Sequence, residues 1–512
     1  MAALSPIVRI PSPLTRARFL AALLLSLVAA AVPAKEVIDR DWIEVRTPNF
    51  TVRSAQSESD TVELARSLEL FKVAVSILTN VSDTEAAIPT KIVAFRSRGD
   101  AARAGLDDNF AGLFAPSLRE NSIIIRETRG AQETEIILHE YVHFLVRNHG
   151  KHNYPKWFDE GFAEYLSSSR VTRSEFKVGL PLERRRGNLV YSNWIPMRRI
   201  LSAEDYANWS REGQSMFYAE AWALVHFMLN RKDHDRPFGE DMGRYLELLE
   251  TGTGHEEAFA AAFGIDSSRL NRDVKRYLKK GKFAYFSLPI DMLLPDFDYA
   301  VDTLPREQVA LTLADVALRL GELDNADRWY AIAAEHEVTR AQALAGRGDV
   351  RKFQDEFDAA LPFFTESIEL APDDPLCQLD MAEYWHDLAR ATATREERAD
   401  YYERAREHYV AAWKLDDQKP EPYAMYGLTM LEEGGRLDKA VEMLEEAEYL
   451  LPSDLLVRLW LAQAYAGLDR REEALAASRS VLAWSHENSE AAKIASQIVT
   501  EMQSSTESAA VQ

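Results

Sequence analysis

The stretch AQETEIILHEYVHFLVRN, residues 131–148, contains the sequence HEYVH at residues 139–143. Its apolar residues recur at helical spacing, which predicts a single helix across the stretch. On that helix His139 and His143 are four residues apart, so both rings leave the same face and can bind one metal ion. Glu140 is one position round, near enough to take a proton from a water molecule on that metal. The pattern is short enough to arise by chance, so it needs support from its surroundings.

A second helix, predicted within YPKWFDEGFAEYL at residues 154–166, follows Pro155 and provides a third ligand candidate, Glu160. Two imidazoles, one carboxylate and an open fourth position are typical of a hydrolytic zinc site. A structural zinc site would use four protein ligands, often cysteines, and the sequence has none nearby. Glu164, one turn beyond Glu160, is the alternative third ligand.

The residues before the motif predict an α+β arrangement. Residues 41–54 alternate in the manner of a strand, residues 59–79 predict a long helix, and two more strands are predicted at residues 90–97 and 121–127. The last strand directly precedes the motif helix.

The C-terminal half is a repeat. Three stretches share a scheme of a helix, a short polar turn and a second helix that opens near an alanine: residues 313–335, 426–448 and 461–483. The marker alanines are Ala326, Ala360, Ala405, Ala440 and Ala474, at spacings of 34, 45, 35 and 34 residues. A 34-residue unit with an insertion around residues 390–400 accounts for all four spacings.

This pattern resembles the tetratricopeptide repeat, with small residues where paired helices cross and with Pro372 and Pro452 closing units. We expect about five repeats stacked into an all-α solenoid, because one repeat cannot bury its apolar face alone. The resemblance implies that a partner protein or an extended peptide binds in a concave groove. A purely structural spacer is the alternative.

The two motif helices together, HEYVH followed by WFDEGFAEY, resemble the gluzincin zinc metallopeptidases, in which HExxH precedes a glutamate in an E-G-x-A-E/S-Y helix. They are most similar to the bacterial peptidase-MA-like branch, which often carries tetratricopeptide repeats. Residues 217–229, FYAEAWALVHFML, are similar to the Y-x-x-G-F-A-L helix of the aminopeptidase-type gluzincins. The resemblance covers roughly residues 40–285.

The resemblance implies a role for each matching residue. His139, His143 and Glu160 would bind Zn²⁺. Glu140 would be the general base for the attacking water and then the proton donor to the leaving amine.

Two further roles are implied around these ligands. Tyr218 would donate a hydrogen bond to the oxyanion, although an ordinary place in the core is its alternative. Glu164 would orient a ligand histidine. The G-x-M-E-N strand of the aminopeptidases is missing near residues 111–127, which favours an endopeptidase that binds an extended peptide at an exposed strand edge.

The N-terminus predicts export. Three arginines precede the 13-residue apolar run FLAALLLSLVAAA, which is followed by VPA at residues 32–34. This is typical of a secretory signal peptide, and an uncleaved membrane anchor is the alternative. We expect a mature bacterial protein in the periplasm or outside the cell, with no membrane span. A single cysteine, Cys377, excludes an intramolecular disulfide.

Charge is distributed unevenly. The chain carries a net charge of −22, of which residues 301–512 hold −21 and residues 1–300 hold −1. This balance argues against nucleic acid as a partner. The basic runs at residues 184–186 and 275–283 are interpreted as solvated faces.

The sequence therefore predicts an α+β zincin-like metallopeptidase domain followed by an all-α tetratricopeptide-repeat solenoid. The expected segments are a signal peptide at 1–34, a peptidase domain at 35–286, a linker at 287–306, repeats at 307–492 and a disordered tail at 493–512. The expected function is hydrolysis of peptide bonds in a peptide or protein substrate, with Zn²⁺ as cofactor and a protein partner on the repeats. The alternative is a scaffold or assembly protein with little or no protease activity that acts through its repeats.

Overall fold

A computed structural model describes most of the chain. The described residues are 36–79, 88, 90–105, 112–126, 131–149, 154–172, 174–203, 206–231, 236–251, 253–293, 297–452, 454–484 and 489–510. The expected signal peptide lies outside them. Within the described part of the chain, no helix combines the length and apolar character needed to cross a membrane.

Nine strands form two sheets in the described residues. The larger sheet contains β1 (Ile43–Arg46), β2 (Phe50–Ser54), β3 (Thr90–Ala94), β4 (Gly112–Ala115), β5 (Asn121–Ile125) and β9 (Ala300–Thr303). Their order is β4-β5-β3-β2-β1-β9, with β2, β3 and β5 parallel to one another and the other pairs antiparallel. The smaller antiparallel sheet contains β6 (Arg170–Val171), β7 (Glu175–Val178) and β8 (Phe286–Pro289).

The helices that accompany these sheets complete the N-terminal unit. They are α1 (Glu58–Thr79), α2 (Arg98–Arg103), α3 (Ala131–His149), α4 (Lys156–Ser167), α5 (Glu183–Tyr191), α6 (Met197–Leu201), α7 (Arg211–Leu229), α8 (Phe238–Glu250), α9 (His255–Phe263), α10 (Ser267–Lys280) and α11 (Ile290–Leu293). The predicted helices around the two motifs are confirmed as α3 and α4.

One sequence expectation needs correction at the start of this unit. Residues 41–54 are not a single strand, because β1 and β2 form an antiparallel hairpin in which Ile43 pairs with Ser54. The turn between them is closed by the backbone N–H of Thr47, which donates to the carbonyl of Phe50 at 2.9 Å. Pro48 and Asn49 lie between these residues, and both residue types favour turns.

Strand β5 is buried along its whole length. Ile123 and Ile125 belong to the apolar cluster that contains Tyr141 of the motif helix α3. Ile124 belongs to a second cluster on the opposite face, which contains Val309 from the C-terminal half. A continuous apolar run is what a strand covered on both faces requires.

The C-terminal half is a tetratricopeptide-like helical repeat. Its helices are α12 (Arg306–Arg319), α13 (Leu323–Ala333), α14 (Glu337–Phe353), α15 (Phe357–Leu370), α16 (Pro375–Ala391), α17 (Arg395–Leu415), α18 (Pro420–Glu433), α19 (Leu437–Leu450), α20 (Leu455–Gly467), α21 (Arg471–Trp484) and α22 (Glu490–Ala510). They form five consecutive helix pairs and a final helix. All five marker alanines have an exposed fraction of 0%, which agrees with close packing where paired helices cross.

Two expected boundaries differ from the structure. Residues 287–306 are not a plain linker, because β8 pairs with β7 and β9 pairs with β1. Both strands are short, lie at a sheet edge and are largely exposed, so they lack the apolar alternation that reveals a strand. The expected disordered tail at 493–512 is helical as far as Ala510, since α22 continues the repeat.

The helical repeat is integrated with the N-terminal unit. Its first helix, α12, covers the second face of the large sheet, where Val309 and Leu313 join Trp42, Phe95 and Ile124 in one buried cluster. The repeat therefore supplies part of the apolar cover of this face of the sheet.

A chain that ends at residue 305 would expose this cluster to water. Because such burial supplies most of the free energy of folding, we expect it to lose cooperative thermal unfolding, measured by circular dichroism and calorimetry. A chain that ends at residue 488 lacks only α22 and should keep a cooperative transition. A sharp transition in the shorter chain would contradict the integration.

Candidate metal centre

The motif helix α3 presents its two histidines on one buried face. His139 and His143 have exposed fractions of 7% and 6%. Their rings are nearly perpendicular, with centroids 4.9 Å apart. The two Nε2 atoms approach to 3.2 Å. This is the arrangement that the four-residue spacing predicted.

Glu160 of α4 completes a compact group with these histidines. Its Oε2 lies 3.2 Å from Nε2 of His139 and 3.4 Å from Nε2 of His143. The ligand atoms of His139, His143 and Glu160 all lie within 4.8 Å of one another. The group is therefore a triangle of three donor atoms with sides of 3.2, 3.2 and 3.4 Å.

The triangle has the dimensions of a zinc site. Ligands about 2.0–2.1 Å from a tetrahedral zinc ion lie roughly 3.3–3.4 Å from each other by simple geometry. Two imidazoles and a carboxylate are also a donor set that zinc accepts. The residues present therefore fit a divalent zinc ion, with the fourth direction left for another ligand.

Gly161 allows α4 to bring Glu160 to this position. A Cβ atom at Gly161 would lie 2.5 Å from the carbonyl oxygen of Ala221 on α7 and 2.8 Å from a methyl group of Val225. The helices can approach this closely only because residue 161 lacks a side chain. The Glu–Gly pair is thus explained by helix packing beside the donor group.

Two residues that the sequence patterns did not indicate, Asp159 and Tyr206, contact the proposed metal ligands. Asp159 Oδ1 lies 2.9 Å from Nδ1 of His143. The hydroxyl of Tyr206 donates to Oε1 of Glu160 at 2.7 Å. Carboxylates and hydroxyls in such places orient metal ligands. Asp159 could have been suspected beside Glu160, whereas Tyr206 lies 46 residues away in a short 3₁₀ helix.

The electrostatics of the group favour a cation. Burial by itself would lower the pKa of His143, but the carboxylates of Asp159 and Glu160 outweigh it and raise that pKa to about 10. The neighbouring imidazoles hold the pKa of Glu160 well below its usual range, against the opposing effect of burial. The carboxylates of Asp159 and Glu160 thus place negative charge beside the histidines.

Glu164 lies beside the group and outside the triangle. Its Oε1 is 3.6 Å from Nδ1 of His139, longer than a hydrogen bond. Its carboxylate is bound instead by Arg185, with Nε at 2.9 Å, and by Arg184 at 3.2 Å. The basic run at 184–186 is therefore not simply a solvated face, since Arg185 is largely buried in this ion pair.

Tyr218 of α7 faces the same group. Its ring centroid is 6.1 Å from that of His139 and 5.8 Å from that of Tyr206. The guanidinium of Arg185 lies over the Tyr218 ring at 5.0 Å. Burial and the charge of Glu160 raise the pKa of Tyr218, so the phenol keeps its proton at neutral pH and remains a hydrogen-bond donor.

Glu140 differs from its neighbours because it is exposed. With His143 and Phe144 it lines a cavity of about 270 Å³, which is bounded on one side by Phe114 of the edge strand β4. The Phe114 ring contacts Tyr141 and Phe144 of α3 at 6.2 and 6.0 Å between centroids. The carboxylate predicted as a base therefore opens into a cleft beside a sheet edge.

Comparisons with known proteins add little about activity. A family described as "Protein of unknown function (DUF1570)" matches residues 133–237, a segment that includes the triangle and Tyr218. No curated protein matches the chain.

The similar solved structures include TPR proteins. A thermophilic TPR protein of Thermus thermophilus is 22% identical with a TM-score of 0.33, covering 38% of this chain and 99% of its own. YrrB, described as a TPR protein with an unusual peptide-binding site, is 17% identical with a TM-score of 0.29, covering 37% and 89%. The helical repeat is therefore assigned from the helix pairs of this chain and from its five buried marker alanines.

The crossing at Gly161 can be tested by adding one methyl group. Gly161→Ala would force α4 and α7 apart, and we expect a loss of about 1–3 kcal/mol in the free energy of unfolding, measured by urea denaturation. Gly243→Ala in α8 is the matched control, because a Cβ there meets nothing within 4 Å. That control should be neutral or stabilising by about 1 kcal/mol. Equal behaviour of both variants would refute the close crossing.

Proposed function

We propose that the chain is a zinc-dependent metallopeptidase in which His139, His143 and Glu160 bind Zn²⁺. The observation that carries this proposal is the triangle of donor atoms, whose 3.2–3.4 Å sides suit three ligands of one tetrahedral ion. A hydrogen-bonded packing cluster does not require three donors to converge on one point.

The remaining residues have roles suited to peptide hydrolysis. Bound zinc would supply Lewis-acid polarisation of the substrate carbonyl and lower the pKa of water. Glu140, exposed in the cleft beside His143, takes the proton of the attacking water and delivers it to the leaving amine. Asp159 and Tyr206 keep His143 and Glu160 oriented.

Tyr218 is proposed to stabilise the oxyanion. Its phenol is only partly buried, and its ring packs edge-to-face against His139. Such a donor acts only when negative charge develops on the carbonyl oxygen, so it contributes to kcat more than to binding.

The substrate is proposed to be an extended peptide cleaved at an internal bond. β4 is the edge strand of the large sheet and lies beside the cleft with Glu140. An unpaired strand edge can bind a peptide backbone by strand addition. We retain export to the periplasm or exterior as part of the proposal, on the evidence of residues 1–34.

The competing candidate is a scaffold that acts through the helical repeat. Part of the acidic surface of the repeat is already paired within the chain, because Arg119, which follows β4, binds Glu421 at 2.9 Å and Asp380 at 2.6 Å. A partner on this surface would have to bind beside Arg119 or displace it. This observation favours the peptidase, with any protein partner on the repeat in a supporting role.

The ligand set is tested by metal content. The purified chain should contain about one zinc ion, measured by mass spectrometry, since three protein ligands suffice for a hydrolytic site. Glu160→Gln should lose most of the zinc, whereas Glu164→Gln should keep it, because Glu164 pairs with arginines. Absence of stoichiometric metal in the wild type would reject the proposal, and loss only with Glu164→Gln would reverse the ligand assignment.

The catalytic roles are tested by kinetics on an internally quenched peptide. Glu140→Gln should keep its zinc and lower kcat about 100- to 10,000-fold. Tyr218→Phe should lower kcat about 100- to 1,000-fold with little change in KM. Tyr245→Phe is the control, because Tyr245 is fully buried and its hydroxyl lies 3.0 Å from His255. An unchanged kcat for Tyr218→Phe would make Tyr218 an ordinary core residue.

A further inference from the structure

The helical repeat returns to the N-terminal unit at the candidate metal centre. Leu451 and Asp454 from the connection between α19 and α20, together with Leu455 and Leu456 at the start of α20, line the same cavity that contains Glu140 and His143. More than 300 residues separate these two sets along the chain. Leu451, Asp454, Leu455 and Leu456 thus line part of the cleft that also contains Phe114 of the edge strand, and we call these four residues the repeat wall.

The repeat wall is packed against the cleft. Leu451 is 4% exposed and belongs to the buried cluster that also contains Tyr141 and Phe144 of α3. Leu118, in the connection from β4 to β5, packs against both this cluster and the one formed by α18 to α22. Apolar contacts therefore join the edge strand, the motif helix and the repeat.

Ion pairs fix the same connection to the repeat. Arg119 binds Glu421 and Asp380, and its Nη2 lies 3.4 Å from Glu383. Glu120 binds Arg319 at 2.6 Å. Because Arg119 and Glu120 lie in the connection from β4 to β5, these ion pairs hold that connection against the repeat.

The chemistry of the repeat wall is apolar. Its one carboxylate, Asp454, caps α20 by accepting hydrogen bonds from the backbone N–H groups of Leu456 and Val457 at 2.9 and 3.0 Å. Burial raises the pKa of Asp454, against the opposing effect of these backbone N–H groups. Leu455 and Leu456 remain to face a ligand, and Leu456 is 50% exposed.

We propose that the repeat wall is a specificity surface that accepts an apolar side chain of a peptide held between β4 and the repeat wall's leucines. The inference rests on the proposed function for the identity of the ligand. The cavity of about 270 Å³ is just below the range of roughly 300–1,000 Å³ that holds whole drug-sized ligands. Its size therefore suits one large side chain beside the bond that Glu140 reaches.

The test measures binding, so that it does not depend on turnover. The full zinc-loaded chain carrying Glu140→Gln is titrated with two fluorescein-labelled, alanine-rich peptides that differ only in a central Leu or Asp. We expect the Leu peptide to bind more tightly. Adding Leu456→Arg should weaken its binding about tenfold or more, as loss of an apolar subsite does.

Leu370→Arg is the matched control. Leu370 ends α15, is 51% exposed, and lies on the repeat away from the cleft. It should leave binding of the Leu peptide unchanged, and both arginine variants should keep their zinc.

The outcomes separate the two proposals. In one outcome the wild type cleaves no peptide, yet it binds the Leu peptide and Leu456→Arg abolishes that binding. This outcome refutes catalysis and supports the repeat wall. If the wild type cleaves peptides while Leu456→Arg changes neither affinity nor selectivity, the repeat wall is refuted and the peptidase stands. Failure of both peptides to bind, or equal loss with Leu370→Arg, also overturns the repeat wall.

Discussion

Burial of strand β5 on both faces connects the two halves of this protein. One face packs on the motif helix that carries His139 and His143, and the other packs on the first helix of the repeat. Removing either cover would expose isoleucines that water does not solvate well. The candidate metal centre and the helical repeat are therefore parts of one folded unit.

Some acidic residues of the repeat form ion pairs with the N-terminal unit. Arg119 lies among Asp380, Glu383 and Glu421, while Lys352 lies 3.6 Å from Glu383. Burial raises the pKa values of Asp380 and Glu421 above their ordinary values, although Arg119 opposes this effect. For Glu383, Arg119 and Lys352 together outweigh burial and lower the pKa. Such a buried network is costly unless every charge is paired, and here the pairing orients the segment after β4.

Local patterns predicted the parts of the structure that depend on local spacing. The helices α3 and α4, the facing histidines and the five buried alanines all follow from helical periodicity or from a 34-residue repeat. Glu160 was also identifiable, because it belongs to a short motif next to Gly161. The close approach of Gly161 to Ala221 and the hydrogen bond from Tyr206 to Glu160 depend on residues 46 or more positions away and were not predictable.

Other features depend on contacts that no local pattern encodes. The edge strands β8 and β9 are too short and too exposed to show apolar alternation. The arginines that bind Glu164 belong to a basic run that the sequence predicted to be solvent-exposed. The sequence by itself determined the helices, the repeat and the candidate donor residues, because side-chain spacing along a helix is set by its 3.6-residue period. Only the tertiary structure decided that Glu164 pairs with Arg185 and that the repeat wall borders the cleft, because these contacts form only after distant helices pack together.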